Sequence, residues 1–348
     1  MKPEIYFYQP AAEKRAGGLD AAIHDLRRAV EKSGCNVKTN AALPPAGSDA
    51  VVHFHGLWQF AHTRLSRECV KRGLPSVVSP HGMLEPWAWK HKGWKKRPYF
   101  WLFERGHLSR VSALLATSEE EASHLRRFFP EQKIEVIPLG LTGDARPDYE
   151  KARAALDWRE EWVLLYLSRI HPKKGLDLLL EALAELKAVI PPETRLVVVG
   201  GGEAGYLRRL HDYCAKHRAL LPRIDWIGPV WGEERWKYFQ GADLFCLPSH
   251  SENFGLAVLD ACQVGTPVLT TNTTPWAASL GGGRGFITSP AVAGVREALE
   301  RFFSTGRPGR AQRDALADWA WQQFHWDALA RRYTQFYETL RGPPRQRA

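Results

Sequence analysis

The chain of 348 residues has few cysteines: five, at positions 35, 69, 214, 246 and 262, with no CxxC pair among them. Scattered and odd in number, they argue against a cysteine-built zinc site and a disulfide framework, and they fit a reducing compartment. Long apolar runs are absent as well, and none would span a bilayer. The apolar part of the opening "MKPEIYFYQP" is too short for a signal-peptide core. These absences give the expectation of a soluble, cytoplasmic protein. No short-period repeat and no low-complexity tract is visible. Acid is in short supply, with 38 Asp and Glu against 48 Lys and Arg. The resulting formal charge of +10 favours phosphates, nucleic acid or an anionic membrane surface as partners, without choosing among them.

What is present is a globular composition, 44% hydrophobic and 25% charged, with an unusual 14 tryptophans. A prior of about 150 residues per domain suggests two domains. In the first half the strand candidates are "EIYFYQP", "AVVHFHG", "PSVVSPHG", "SALLATS" and "IEVIPLG", separated by helical stretches such as "LDAAIHDLRRAVEKSG". Several are apolar throughout, as in a parallel sheet covered on both faces. Composition turns polar around "LTGDARPDYEKARAALDWREEW", which places a boundary near Gly143 and gives domains 1–143 and 144–325. A second series follows: "WVLLYLSR", "GLDLLLEALAELKAV", "TRLVVVGGG", "IDWIGPV", "DLFCLPS", "TPVLTTN" and "GFITS". The tail "WDALARRYTQFYETL" reads as a final amphipathic helix. The expected fold class is α/β, two Rossmann-like domains facing each other across a cleft.

Ligands collect at the carboxyl ends of parallel strands, where helix N-termini offer free amides. Five strand ends carry notable residues. Gly17 and Gly18 precede a helical pattern and would let backbone amides approach a phosphate or sugar; alone they read as a plain turn. In "SPHGM", His81 follows an apolar strand; alone it reads as a loop histidine satisfied by the backbone. In "LSRIHPKKGLDLLLEAL", Arg169 leaves a strand, Lys174 follows, and Gly175 opens a helix. Two cations there suit a diphosphate, with a solvated basic loop as the plainer alternative. Gly200, Gly202 and Gly205 satisfy GxGxxG, but the acid that a dinucleotide site needs at the end of the next strand is instead Asp225, at its start. A dehydrogenase reading is therefore discounted. Finally, in "SHSENFGLAVLDACQVG", Glu252 precedes a helix opened by the amides of Asn253, Phe254, Gly255 and Leu256, and Asp260 falls on its second turn. A helix cap and a solvated acid explain that pair about as well as a ligand does.

Together these segments resemble the retaining, nucleotide-sugar-dependent glycosyltransferases of family 4, which have the GT-B fold. ENFGL, with an acid after seven intervening residues, is similar to the E-x7-E motif of that family. "LSRIHPKKGLDLLLEAL" is similar to its Arg–Lys diphosphate segment, "SPHGM" to its histidine loop, and Gly17–Gly18 to its N-terminal glycine loop. "ATSEEEASHLRRF", "IEVIPLGL" and the Trp-bearing final helix resemble it too, so the likeness spans nearly the whole chain. The "HGLW…SPHGMLEPWAWKHK" block resembles members that build bacterial exopolysaccharide or lipopolysaccharide. The resemblance implies a metal-independent hexosyltransferase with no cofactor beyond its nucleotide-sugar co-substrate, and a DxD is missing near the proposed site. It implies that helix 326–348 packs back on the N-terminal domain. Arg169 and Lys174 would neutralise the donor diphosphate. Glu252 and the amides of residues 253–256 would hold the donor sugar, and Asp260 the ribose. His81 would lie at the sugar or the reacting bond, Gly18 at phosphate, Gly200 along the donor site, and Val230 against the base. The departure is Asp260, an aspartate where the motif has glutamate.

On the acceptor side, "PWAWKHKGWKKRPYFWLFERGHLSR" mixes Trp87, Trp89, Trp94 and Trp101 with Lys90, Lys92, Lys95, Lys96 and Arg97. Aromatics among cations favour an anionic membrane interface, here the inner face of the plasma membrane, where a saccharide or lipid-linked acceptor would be met. His53 and His55 alternate on a strand, and His55 is read as acceptor-pocket lining or ordinary packing. A GT-B epimerase or phosphorylase is the alternative enzyme, and a glycan- or nucleic-acid-binding module the non-enzymatic one; no nucleic acid partner is expected.

Overall fold

The computed structural model describes residues 2–10, 17–90, 93–158 and 161–341. Lys92 of the basic block and the tail beyond 341 lie outside them. The chain divides into two units. One runs to Thr142 and takes the chain up again from Phe324; the other is Gly143–Gln323.

The first unit is built on β1 (Glu4–Tyr8), β2 (Asn36–Thr39), β3 (Ala50–His55), β4 (Ser76–Ser79), β5 (Ala113–Ala116) and β6 (Ile134–Val136). They form one parallel sheet in the order β2-β1-β3-β4-β5-β6. Side chains alternate across it, so two apolar layers form. Tyr6, Val52, Phe54, Val78 and Leu114 meet Phe100, Leu108 and Leu125 on one face. On the other, Ile5, Phe7, Val51, Val77 and Leu115 pack with Ile23 and Leu26 of the helix Gly17–Lys32. The same layer takes in Leu329, Tyr333, Phe336 and Tyr337 of the helix Trp326–Leu340. The C-terminal helix is thus part of this unit's core.

The second unit holds β7 (Trp162–Leu167), β8 (Thr194–Val199), β9 (Arg223–Gly228), β10 (Leu244–Leu247), β11 (Val268–Thr271) and β12 (Gly285–Thr288). All pair in parallel, in the order β12-β11-β10-β7-β8-β9. The chain starts in mid-sheet at β7, adds β8 and β9 on one side, then returns to add β10 on the other. Loops leaving β7 and β10 therefore diverge to opposite faces, and the crevice between them is where such sheets bind ligands. At the far end of the same strands, wholly buried Asp243 accepts from the Val163 amide at 2.8 Å and the Tyr149 hydroxyl at 2.6 Å, and faces Arg153 at 3.2 Å. This fully partnered buried acid fixes the start of β10 against β7.

Candidate functional site

The loop after β7 is shaped by close backbone approach. Gly200 and Gly202 sit where a Cβ would meet the carbonyl oxygens of Ser168 and Ile170 at 1.9 and 2.1 Å. Ile170 and Gly202 form a parallel bridge that extends the β7–β8 pairing. The GxGxxG pattern thus has a packing cause in its first two glycines. Next, the His171 Nδ1 accepts from the Lys173 amide at 3.1 Å, closing the turn Pro172–Lys174. Gly175 ends it at φ 69°, and a Cβ there would lie 2.1 Å from the carbonyl oxygen of Pro248. That contact, with the His250 amide donating to the Lys173 carbonyl at 2.8 Å, laces the β7 loop to the loop leaving β10.

The lacing brings two charges together. Lys174 Nζ lies 2.6 and 2.8 Å from the two carboxylate oxygens of Glu252, which also accepts from Ser249 Oγ at 2.6 Å. Both side chains are largely buried. Burial works against ionisation of Glu252, but the charge and hydrogen bond of Lys174, aided by Ser249, outweigh it and hold the carboxyl below its ordinary value. Ser249 is itself anchored, its carbonyl accepting from the hydroxyls of Thr271 and Thr273. The Trp276 indole donates to the Phe254 carbonyl, which pins the segment before Gly255. Gly255, at φ 80°, then turns the chain into the helix Leu256–Gln263. A buried, ionised, doubly held carboxylate beside a lysine is a rigid acceptor for sugar hydroxyls next to a phosphate-binding cation.

Arg169 stands exposed just past β7, and no described carboxylate forms an ion pair with it. Asp260 is buried and faces Arg235, 3.2 Å away, whose guanidinium stacks on Trp236 at 4.1 Å. Val230 is half-buried in the loop after β9, beside exposed Trp231. The structure thus joins Lys174 and Glu252 directly and gives Asp260 a cation partner. Ser249 and Arg235 were not singled out in the sequence. Ser249 lies in the same loop as Glu252, 3 positions before it, and Arg235 opens a helix after β9, 25 positions away from its partner.

In the first unit His81 takes a left-handed backbone, φ 52°. The following Gly82 amide donates to Glu121 Oε1 at 2.6 Å, and Thr117 donates to Oε2 through its amide (2.8 Å) and hydroxyl (2.9 Å). His81 Nε2 and His55 Nδ1 are 3.2 Å apart, with the rings near parallel. His53, 3.9 Å from His55 between ring centres, is held by Tyr337 Oη at 2.9 Å and Ser79 Oγ at 2.8 Å. Burial pushes His81 down to about 4 and the other two well below their ordinary value, so all three are neutral at physiological pH. His55 is wholly buried within the sheet, where it supports His81 and presents no surface to an acceptor. Gly17 and Gly18 open the helix Gly17–Lys32.

The basic block separates by face. Trp89 turns into the core against Phe100 and Phe128, and Trp87 is half-buried. Lys96 points inward, donating to the Ala88 carbonyl at 2.7 Å, while Lys95 and Arg97 are exposed.

The model for glycosyl transferases group 1 matches residues 148–313, and the model for glycosyltransferase family 4 matches residues 45–142. D-inositol 3-phosphate glycosyltransferase from Nocardioides sp. is 30% identical over 338 residues, 88% of this chain and 70% of its own length. The enzyme of that name from Segniliparus rotundus is 34% identical over 170 residues, 45% of this chain and 36% of its own length. With the Rhodococcus jostii enzyme matched over 37% of its length, the chain spans little more than a third of the first of these relatives. Among solved structures, sucrose-phosphate synthase from Thermosynechococcus elongatus superposes with a TM-score of 0.79 at 18% identity, over 97% of this chain and 99% of that one. HepE from Anabaena, in complex with UDP, does so with a TM-score of 0.75 at 18% identity, over 97% and 100%. With a relative aligned along most of both lengths and a GT-B architecture in each neighbour, the chain belongs to the family 4, group 1 glycosyltransferases.

Proposed function

We propose that this protein is a retaining hexosyltransferase that moves a sugar from a nucleoside-diphosphate sugar to a saccharide or lipid-linked saccharide, in the assembly of a cell-surface polysaccharide. The observation that carries the donor half is the Lys174–Glu252 pair at the switch point of the second sheet, with exposed Arg169 on the same loop. The cations take the diphosphate, and Glu252 with the amides of residues 253–256 takes the sugar. Asp260 and Arg235 together face the ribose, and Val230 the base. His81, neutral and held by its neighbours, donates or accepts one hydrogen bond at the sugar or the reacting bond. Gly17 and Gly18 lie near phosphate. A UDP-bound neighbour of the same fold supports the nucleotide, although relatives named for inositol 3-phosphate widen the range of acceptors. The reaction is proposed to need no divalent ion, because Arg169 and Lys174 supply the positive charge that one would bring.

The test is a thermal-shift panel of UDP-, GDP-, ADP- and dTDP-sugars. One of them should raise the melting temperature by mass action. Arg169→Ala should abolish that rise and leave the unliganded melt unchanged. A panel with no stabilising member, or a shift that survives in Arg169→Ala, overturns the donor assignment. Transfer that stops in EDTA and returns with magnesium overturns the metal-independent one.

A further inference from the structure

In the first unit, residues 93–110 form one helical run: Gly93–Tyr99, a π-turn over Phe100–Glu104, then Arg105–Arg110. Its inner face is Phe100, Glu104, His107 and Leu108, all buried. Its outer face is Trp94 (76% exposed), Lys95, Arg97, Pro98, Trp101 (62%), Leu102 (71%) and Arg105. Phe60, 51% exposed at the start of the helix Phe60–Arg72, extends this face through an edge contact of 5.4 Å with Phe103. These are four of the nine large apolar side chains exposed among the described residues, and they sit on one surface.

The run itself carries no exposed acid. From Trp87 to Arg110 the one carboxylate in the sequence is Glu104, and it is wholly buried. Lys95 lies over the Trp94 ring at 4.7 Å and Arg105 over the Trp101 ring at 5.3 Å, so each cation rises beside an exposed indole. Arg67 is close enough to Arg110 to add to burial in lowering it, so positive charge also gathers where the run ends. Indole and aliphatic groups beside cations match the depth profile of a bilayer surface, with apolar groups at the acyl boundary and cations at the phosphates. A nucleic acid would use the cations and the indoles, but it offers nothing to Leu102.

We propose that the face made by Phe60, Trp94, Trp101 and Leu102, ringed by Lys95, Arg97 and Arg105, seats the protein on an anionic phospholipid bilayer. The proposal rests on the glycosyltransferase reading only for its use, to bring the active site to an acceptor at the membrane. Attachment itself needs neither donor nor acceptor and can be measured without them. Its anchors are Trp101 and Leu102; Trp89, which is packed inward, has no part in it.

The test is flotation of the whole protein with phosphatidylcholine vesicles, with and without phosphatidylglycerol, together with tryptophan quenching by brominated lipids. Binding should require phosphatidylglycerol and weaken with salt, and the brominated chains should quench emission. Lys95→Glu/Arg97→Glu/Arg105→Glu should weaken binding by about a hundredfold, since each cation at an anionic surface contributes a factor of about five. Trp101→Ser/Leu102→Ser should weaken it by about tenfold or more and reduce the quenching to the share that Trp94 carries. Both sets of side chains are exposed, so melting temperatures should match wild type and certify the fold. Failure to float with either vesicle overturns the proposal. So does equal flotation of wild type and both variants, or binding to a single-stranded oligonucleotide in place of vesicles. Because no sugar donor is present, none of these results bears on the transferase assignment.

Discussion

At the scale of single residues, the site stores its charge as a matched pair. Lys174 and Glu252 are both largely buried and share two contacts below 3 Å. Removing the lysine alone strands a buried carboxylate, which costs roughly 3 to 5 kcal/mol. Lys174→Ala should therefore destabilise the protein by that order at pH 7, and Lys174→Ala/Glu252→Gln by clearly less; chemical denaturation of the four species gives the coupling. The pH dependence should also invert. In the wild type Glu252 lies below its ordinary value, so its contribution is present above that value and is lost as pH falls. Without Lys174, burial dominates and stability should instead fall as pH rises. A double-variant cost equal to the sum of the two single-variant costs would mean that the pair is not coupled. Glu104 is a second case, under the exposed aromatic face. It is wholly buried, and its Oε1 accepts from the Trp58 amide at 2.7 Å. Burial pushes it up to about 7, against the lowering by the Trp58 and Gln59 amides. A raised acid stabilises below its ordinary value near 4.5, and that stability is lost as pH rises through about 7. Glu104→Gln keeps an acceptor for Trp58 and removes the titration. Its stability should be flat across that window and exceed wild type above pH 8 by up to roughly 3 kcal/mol. A slope unchanged from wild type, read by denaturant titration at several pH values, would show that Glu104 does not carry it.

At the scale of elements, the glycines of the β8 loop separate two explanations that the sequence leaves entangled. A Cβ on Gly200 or Gly202 would fall 1.9 or 2.1 Å from a carbonyl oxygen, whereas one on Gly205 would meet nothing within 4 Å. Gly205 sits inside the helix Ala204–Lys216, where alanine is the better helix former by about 1 kcal/mol. Gly205→Ala should thus be neutral or stabilising and leave nucleotide-sugar binding intact, while Gly202→Ala should destabilise by several kcal/mol. Loss of donor binding in Gly205→Ala, measured by calorimetry, would restore a phosphate-cradling role for the whole motif. The strands were readable for a physical reason. β1, β3, β8 and β10 are buried on both sides, so each carries an apolar run, unbroken in β10 and interrupted in β3 by His53 and His55. β2 was not readable, because Asn36–Thr39 is an edge strand that alternates exposed and half-buried, and its "NVKT" has too few apolar residues to stand out. The run 93–110 escaped for another reason: Pro98 and two glycines hide a helix whose continuity depends on a π-turn. Composition identified its basic, aromatic character, but it could not say that Trp89 faces in and Trp101 out, since that depends on which turn meets Phe128. The site was legible as a set of strand-end residues. The Arg235–Asp260 pairing was not, being made between two helices, Arg235–Gly241 and Leu256–Gln263, by residues 25 positions apart.

At the scale of the whole molecule, the chain's path sets how the first unit can fold. It leaves that unit at Thr142 and re-enters at Phe324, so a layer of its core arrives last in the sequence. Leu329, Tyr333, Phe336 and Tyr337 are buried against Ile5, Phe7, Ile23 and Leu26. Trp326 docks on the chain at its exit, its indole donating to the Leu141 carbonyl at 2.8 Å and its ring so close to Gly140 that a Cβ there would fall 2.5 Å away. Tyr337 also holds His53, the inner member of the histidine row behind His81. Loss of each large buried side chain costs about 2 to 5 kcal/mol, so losing four costs roughly 8 to 20 kcal/mol, as much as the 5 to 15 kcal/mol that holds a typical domain together. Truncation after Gln323 should therefore leave the first unit without fixed packing, while Gly143–Gln323, which keeps its own sheet and the Asp243 hub, stays folded. Hydrogen exchange resolves the two directly. Amides of β1, β3 and β4 should lose protection in the truncated chain, and those of β7, β8 and β10 should keep it. A milder form, Gly140→Ala, should displace Trp326 and lower protection in the same strands without removing a residue. Protection in β1 and β3 that survives truncation would mean that the final helix covers a core already complete without it, and His81 would then keep its geometry in a chain ending at Gln323.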